Sequence, residues 1–191
     1  VNPHPIPTTL AHRPTVGGLV VPWISIHHGD GRYVLGAVHH TRVEQCFIHR
    51  LCQIDGQPLG DTSVFLMRQR DLDRRMSSEP AMHPECAAYS IRACPMLTGA
   101  MSHYRSTPHA VDGKPCPDPG CECAGWVPSP DAGRRAGQPA EAYFSVWARD
   151  WLPAADEKTH RVTAAVLLGD PLKVRPIPTT PLTASAATAG P

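Results

Sequence analysis

Apolar and polar positions fall along this chain in short runs, and each run predicts an element. Leu19 to His28 and Arg32 to Val38 are β-prone and flank Gly29-Asp30-Gly31, and a Gly/Asp cluster between two such runs predicts a hairpin. Val43, Phe47 and Leu51, or Cys46 and Arg50 on the alternative stripe, recur at helical spacing, so His40 to Arg50 is expected to form a short helix. Thr62 to Met67 is β-prone, whereas Arg68 to Arg75 alternates charges and is expected to be exposed loop. A second helix is expected from about Pro84 to Ala93, because proline suits the first helical position and Glu85 suits the positive N-terminus. Cys94-Pro95 should end it, since the residue before proline is driven out of the α region. Tyr143 to Trp151 and Arg161 to Leu168 read as two more strands joined by a polar turn.

The resulting order, β-β-α, a tight turn, then β-α-insert-β-β, is an α+β pattern: a small antiparallel sheet with two short helices. Residues 1–18 hold four prolines without apolar periodicity and are expected as a disordered, extended arm. Residues 19–97 should form a core, 98–140 a Gly/Pro/Cys-rich insert, 141–175 strands completing the same domain, and 176–191 a disordered tail of Thr, Ala and Pro. Pro5-Ile6-Pro7-Thr8-Thr9 recurs as Pro176-Ile177-Pro178-Thr179-Thr180, which in a chain with 22 prolines is best read as coincidence.

The chain has 191 residues but only 3 Phe, 4 Trp and 4 Tyr, so its core is expected to be modest, and such cores often rely on a metal or a partner. Net charge is +1, and residues 40–75 carry six Arg against five acids. No basic stripe of the kind that neutralises phosphates is present, so nucleic acid is an unfavourable partner. No run of about 18 apolar residues is present to span a membrane. Val1-Asn2-Pro3-His4-Pro5 lacks the order of a secretory signal, giving a cytoplasmic expectation. In a reducing compartment the 7 cysteines read more readily as metal ligands or buried thiols than as disulfides.

Two pairs of candidate ligands stand out. Cys52-x-x-Asp55-Gly56 is followed, after 27 residues from Asp55, by His83-Pro84-Glu85-Cys86. A tight knuckle and the first turn of a helix can each offer an i,i+3 pair, and together these supply the four donors of tetrahedral zinc. Gly56 suits the positive φ of such a knuckle. That outline is treble-clef-like, with an aspartate where a cysteine is usual. The alternative is two buried thiols, a capping histidine and a turn aspartate. Should Asp55 lie outside the coordination sphere, His49 and Cys46 are the nearest substitutes.

Cys52 to Gly60 (CQIDGQPLG), Ser77 to Cys86 (SSEPAMHPEC) and Ala93 to Leu97 (ACPML) resemble a family of small zinc-knuckle proteins, of uncharacterised role, from actinobacteria and their phages. Its members pair C-x-x-C-G-x-P-L-G with S-S-E-P-x-x-H-x-x-C-A and A-C-P-x-L. The resemblance runs from Pro22-Trp23 to Leu97 and returns faintly at Leu168-Gly169-Asp170-Pro171. It implies a metal knuckle with Cys52, His83 and Cys86 in ligand positions, and Asp55 in place of the second knuckle cysteine. It carries no activity.

Cys116, Cys121 and Cys123 form a second candidate metal set, with His109 or Asp118 as a fourth ligand, or a loop of reactive thiols able to pair oxidatively. His27-His28 and His39-His40 sit at the two ends of the hairpin and offer imidazoles for catalysis, or are plain surface residues. Glu79 offers an acid or base beside a metal-bound water, or only fixes the approach to the second helix. Deaminase, nucleophile-elbow, P-loop and dinucleotide fingerprints are absent. Within residues 83–94 the second helix presents only Arg92 for nucleic acid. The leading expectation is therefore a zinc-stabilised binding or scaffold protein with a protein partner. The alternative is a hydrolase-type enzyme using a labile zinc.

Overall fold

The computed structural model describes residues 4–106, 116, 118–126 and 131–179. A 3-10 turn at Thr8–Leu10 precedes a two-stranded ribbon, β1 (Thr15–Val16) and β2 (Leu19–Val20). The predicted hairpin follows as β3 (Ser25–His27) and β4 (Tyr33–Val38), with a register shift between Ser25 and Ile26. Then come α1 (His40–Ile48), β5 (Ser63–Arg68), α2 (Gln69–Asp73), β6 (Met76–Ser77) and α3 (Pro84–Ala93). The insert contains a 3-10 turn at Glu122–Gly125 and α4 (Ala132–Arg135). The chain closes with β7 (Tyr143–Ala148), β8 (Trp151–Ala155), β9 (Val162–Leu167) and β10 (Lys173–Pro176). The class is mixed α+β with small antiparallel sheets, as expected. Two three-stranded sheets, β10-β7-β5 and β6-β9-β8, dominate it.

Every residue of β5 is buried. Successive side chains of a strand point to opposite faces, and β5 uses both. Val64 and Leu66 join Cys52, Ile54, Met82, Cys86, Tyr89, Ala93 and Tyr143 in one core cluster, beneath α3. Phe65 and Met67 join Phe47 of α1, Val146, Ala148, Trp151, Ala165 and Leu167 in a second cluster, between the two sheets. The sheet β10-β7-β5 is thus the middle layer. On one side lie α3 and the knuckle, on the other the sheet β6-β9-β8 with α1.

The helices follow their sequence signals. Proline occupies the first turn of α3, and Cys86, Ala87, Tyr89 and Ala93 form its buried stripe. Cys94 is extended, as a residue before proline must be. Tyr89 fixes the ribbon as well, its hydroxyl accepting from the Val20 N–H at 3.0 Å.

Four expectations need correction. Residues 4–18 are not an extended arm: Leu10 is fully buried in the α3 cluster, and the ribbon turns on Gly17 and Gly18, both at positive φ. A single anchoring leucine has no periodicity to reveal it. Arg68 to Arg75 is not simply exposed loop. Arg68 is only 3% exposed at the end of β5, and Asp71 of α2 accepts from both its backbone N–H and its guanidinium. The run Tyr143 to Trp151 breaks at Arg149-Asp150, because β7 and β8 belong to different sheets. Finally, 176–179 is not all tail. Pro176 ends β10, and Ile177 is buried with its N–H on the Tyr143 carbonyl. Residues 180–191 lie outside the described residues.

Phe65 is fully buried and meets Trp151 edge to face at 5.5 Å between ring centroids. Phe65→Ala should therefore lower the unfolding free energy by about 3–5 kcal/mol, measured by urea denaturation. A loss below about 1 kcal/mol would contradict the layered packing described above.

Candidate metal centre

The knuckle forms because residues 52–57 close on themselves. The Cys52 N–H donates to the Gln57 carbonyl and the Gly56 N–H to the Cys52 carbonyl, both at 2.8 Å. Gly56 stands at φ 77°, and a β-carbon there would lie 2.8 Å from the Trp23 ring. Glycine is required twice over, for the turn and for the indole against it. The Gln53 N–H donates to the Ala81 carbonyl, and its side-chain amide to the Pro80 carbonyl, which draws the approach to α3 alongside the knuckle.

As a result Cys52, Asp55, His83 and Cys86 converge, with one ligand atom from each within 4.8 Å of all the others. Asp55 Oδ2 lies 3.1 Å from His83 Nδ1 and 3.4 Å from Cys86 Sγ, and Cys86 Sγ is 4.0 Å from His83 Nδ1. Both sulfurs are fully buried, Asp55 is 8% exposed and His83 is half-buried.

The remaining atoms of these side chains are already committed. Asp55 Oδ1 accepts from the Gln57 N–H at 2.9 Å, leaving Oδ2 to face the cluster. His83 Nε2 donates to the Pro58 carbonyl at 2.9 Å. A carbonyl only accepts, so the proton is placed on Nε2, and the Nδ1 lone pair is directed at the cluster.

The electrostatics match. A hydrogen bond from Cys86, opposed by burial and reinforced by the backbone N–H groups of His83 and Asp55, holds the Cys52 thiol down to about 7. Cys86, donating to that thiolate and buried beside it, is pushed up. Burial opposes protonation of His83, but the Pro58 carbonyl and the charges of Cys52 and Asp55 outweigh it and raise its pKa. Two sulfurs, one imidazole nitrogen and one carboxylate oxygen can thus hold a metal ion.

The substitute ligands stay outside. Cys46 lies on the buried side of α1, its thiol pushed up to about 12 mainly by burial, and His49 is exposed. Glu79 does not reach this cluster. It is held above the usual carboxylate range by burial, and its charged neighbours are Arg68, Arg135 and Asp71. Arg92 is exposed on α3.

The histidine pairs do not gather into one group. His27 stacks on Tyr33, while His39 stacks on His40, whose Nδ1 donates to the Gly125 carbonyl. His28 alone enters a ligand set, one that sequence reasoning left incomplete. One ligand atom each from His28, Cys116, Cys121 and Cys123 lies within 4.8 Å of the others, with His28 Nδ1 3.2 Å from Cys121 Sγ. The fourth member is therefore not Asp118, whose Oδ1 instead accepts from the Gly120 N–H. His109 lies outside the described residues. Nothing in the spacing links residue 28 to residue 121. Only its place beside the hairpin turn, as one of two adjacent imidazoles, was a signal.

No protein-family model, no curated protein and no solved structure matches this chain.

Two outcomes follow from this geometry. Asp55→Cys replaces an oxygen donor by a thiolate and should tighten metal binding and raise the melting temperature; unchanged metal affinity and melting temperature would place residue 55 outside the coordination sphere. The second concerns pH. Because the folded chain lowers the Cys52 pKa from 9.0 to about 7, the thiolate stabilises the metal-free fold above its ordinary pKa. That contribution is lost as pH falls through about 7. The urea midpoint of metal-free protein should fall from pH 9 to pH 6.5 by more in the parent than in Cys52→Ser, and an equal fall in both would contradict it.

Proposed function

We propose that this chain is a zinc-stabilised binding or scaffold protein. Zinc held by Cys52, Asp55, His83 and Cys86 pins a treble-clef-like knuckle to the first turn of α3, and the surface so fixed binds another protein. The observation that carries this reading is the His83 ring, with Nε2 bonded to the Pro58 carbonyl and Nδ1 aimed at Asp55 and Cys86. Metal-binding histidines are oriented in this way, by giving the other ring N–H to a carbonyl or carboxylate.

Distances support the ion. Zn–S of about 2.3 Å and Zn–N or Zn–O of about 2.0–2.2 Å in a tetrahedron give ligand-to-ligand edges of about 3.3–3.8 Å. Separations of 3.1, 3.4 and 4.0 Å bracket that range. A four-donor set that is mostly buried favours a structural ion over a catalytic one, since catalytic zinc keeps a position open for water. The resemblance to the actinobacterial and phage zinc-knuckle proteins belongs to the same proposal.

A protein partner is supported by the outward face of the β8–β9 pair. Trp151 and Leu167 are buried, whereas Leu152, opposite half-buried Val166, and Leu168, just after β9, are 56% and 45% exposed. Exposed apolar side chains at one end of a sheet, where they form a contiguous patch, are a feature of interaction surfaces.

The rival reading is a hydrolase with a labile zinc, and Asp55 is what favours it, as an oxygen donor of the kind more common in catalytic sites. Metal analysis, stability and binding separate the readings. Protein purified without a His-tag is expected to contain zinc. Cys86→Ser should unfold it or lower its melting temperature strongly, because structural zinc contributes folding free energy outright. Leu152→Asp with Leu168→Asp should abolish cross-linking to the partner while zinc content and melting temperature stay unchanged. A metal-free chain that is fully folded and indifferent to added zinc would overturn the structural ion. Zinc-dependent hydrolysis in the parent protein, lost in Asp55→Asn, would favour the rival.

A further inference from the structure

We infer that the chain carries a second, independent zinc site, made by His28, Cys116, Cys121 and Cys123, and that this ion fastens the insert to the β3–β4 hairpin. Three thiolates and an imidazole are a standard structural zinc set. Their ligand atoms lie within 4.8 Å of one another, and the His28 Nδ1 to Cys121 Sγ separation of 3.2 Å falls just short of the edge of such a tetrahedron. The sulfur environment repeats that of the knuckle. Cys121 accepts from the backbone N–H of Cys123 and from that of Gly29 in the hairpin turn, just as Cys52 accepts from those of His83 and Asp55.

The rest of the contact explains why an ion is needed. Among the described residues, the insert contributes Cys123 and Trp126 to a small apolar cluster around Ile26 and Ala37. Polar links join it to the hairpin and α1: Glu122 accepts from the His27 N–H and pairs with Arg42, and the Gly125 carbonyl accepts from His40. Among the described residues so little apolar burial does not offset the entropy of ordering a segment rich in proline and glycine.

Each segment nonetheless presses a side chain against a glycine of the other. A β-carbon on Gly29 would overlap the Asp118 carboxylate, and one on Gly125 would overlap the His39 ring. A metal cross-link between residue 28 and residues 116–123 supplies what the packing lacks, much as a disulfide closes a long loop. Unlike the knuckle, where both sulfurs are fully buried, three of the four residues here are half-buried and only Cys121 is buried. This ion should therefore exchange first.

The test uses the full chain, purified reduced, without a His-tag, and loaded with zinc. A mild chelator should withdraw one ion rapidly, and iodoacetamide should then modify Cys116, Cys121 and Cys123 at least tenfold faster than before while Cys52 and Cys86 stay protected. Loaded with cadmium-113, the chain should give separate resonances for a three-sulfur, one-nitrogen site and a two-sulfur site. His28→Ala should shift only the first, leaving the Trp151 indole N–H signal in place as a marker of the core.

Equal alkylation of Cys116, Cys121 and Cys123 with and without zinc would overturn the inference. So would a three-sulfur resonance indifferent to His28→Ala, or a disulfide among these cysteines in the reduced preparation. Failure of the knuckle ion would read differently, as Cys52 and Cys86 unprotected and the two-sulfur resonance missing.

Discussion

Burial of β5 on both faces is the constraint from which the remaining structure follows. A strand with no side in water must find apolar partners in two directions and hydrogen-bond partners along its edges. β7 supplies one ladder, from Ser63 opposite Ala148 to Arg68 opposite Tyr143, and Val64 exchanges both backbone bonds with Met82 on the other edge. That second pairing brings the segment before α3 against β5, and with it His83 and Cys86. The convergence of the candidate ligands is therefore a consequence of how β5 is covered.

The end of the same strand shows what such burial requires of polar groups. Arg68 cannot leave its charge unpaired in the interior, and Asp71 meets it with two hydrogen bonds from the guanidinium while Glu141 stands at 3.5 Å. A buried pair of this kind is strongly destabilised when one partner is removed. It also starts α2, because the same Asp71 carboxylate caps the Arg68 N–H. Nearby, Glu79 and Tyr143 are both raised by burial, Glu79 despite the opposing charge of Arg68. This polar group and the candidate metal cluster share no residue, although Tyr143 packs in the same core as Cys52 and Cys86.

The two ligand sets differ in how they relate to packing. At Cys52, Asp55, His83 and Cys86 the donors belong to the main core, and apolar neighbours such as Ile54, Met82 and Ala87 hold the surroundings in place. At His28, Cys116, Cys121 and Cys123 the apolar cluster nearby is small among the described residues, and Glu122 and Gly125 add polar links. An ion in the first would add to a structure already ordered, whereas an ion in the second would do much of the ordering.

Read alone, the sequence determined what depends on near neighbours. Proline at the head of α3, proline after Cys94, Gly29 to Gly31 in the hairpin turn and Gly56 in the knuckle act through local dihedral limits, and each appears where its chemistry put it. The ligand pairs at 52/55 and 83/86 were legible for the same reason, each being a three-residue spacing on one turn. Tertiary structure alone decided the rest. Leu10 reached the core, a continuous β-prone run split at Arg149-Asp150 between two sheets, and Arg68 became an interior ion in a segment whose charges suggested a solvated loop. His28 joined cysteines 88 or more residues away. These are long-range contacts, fixed by which faces remain to be covered once β5 is buried, and no local pattern of residues encodes that.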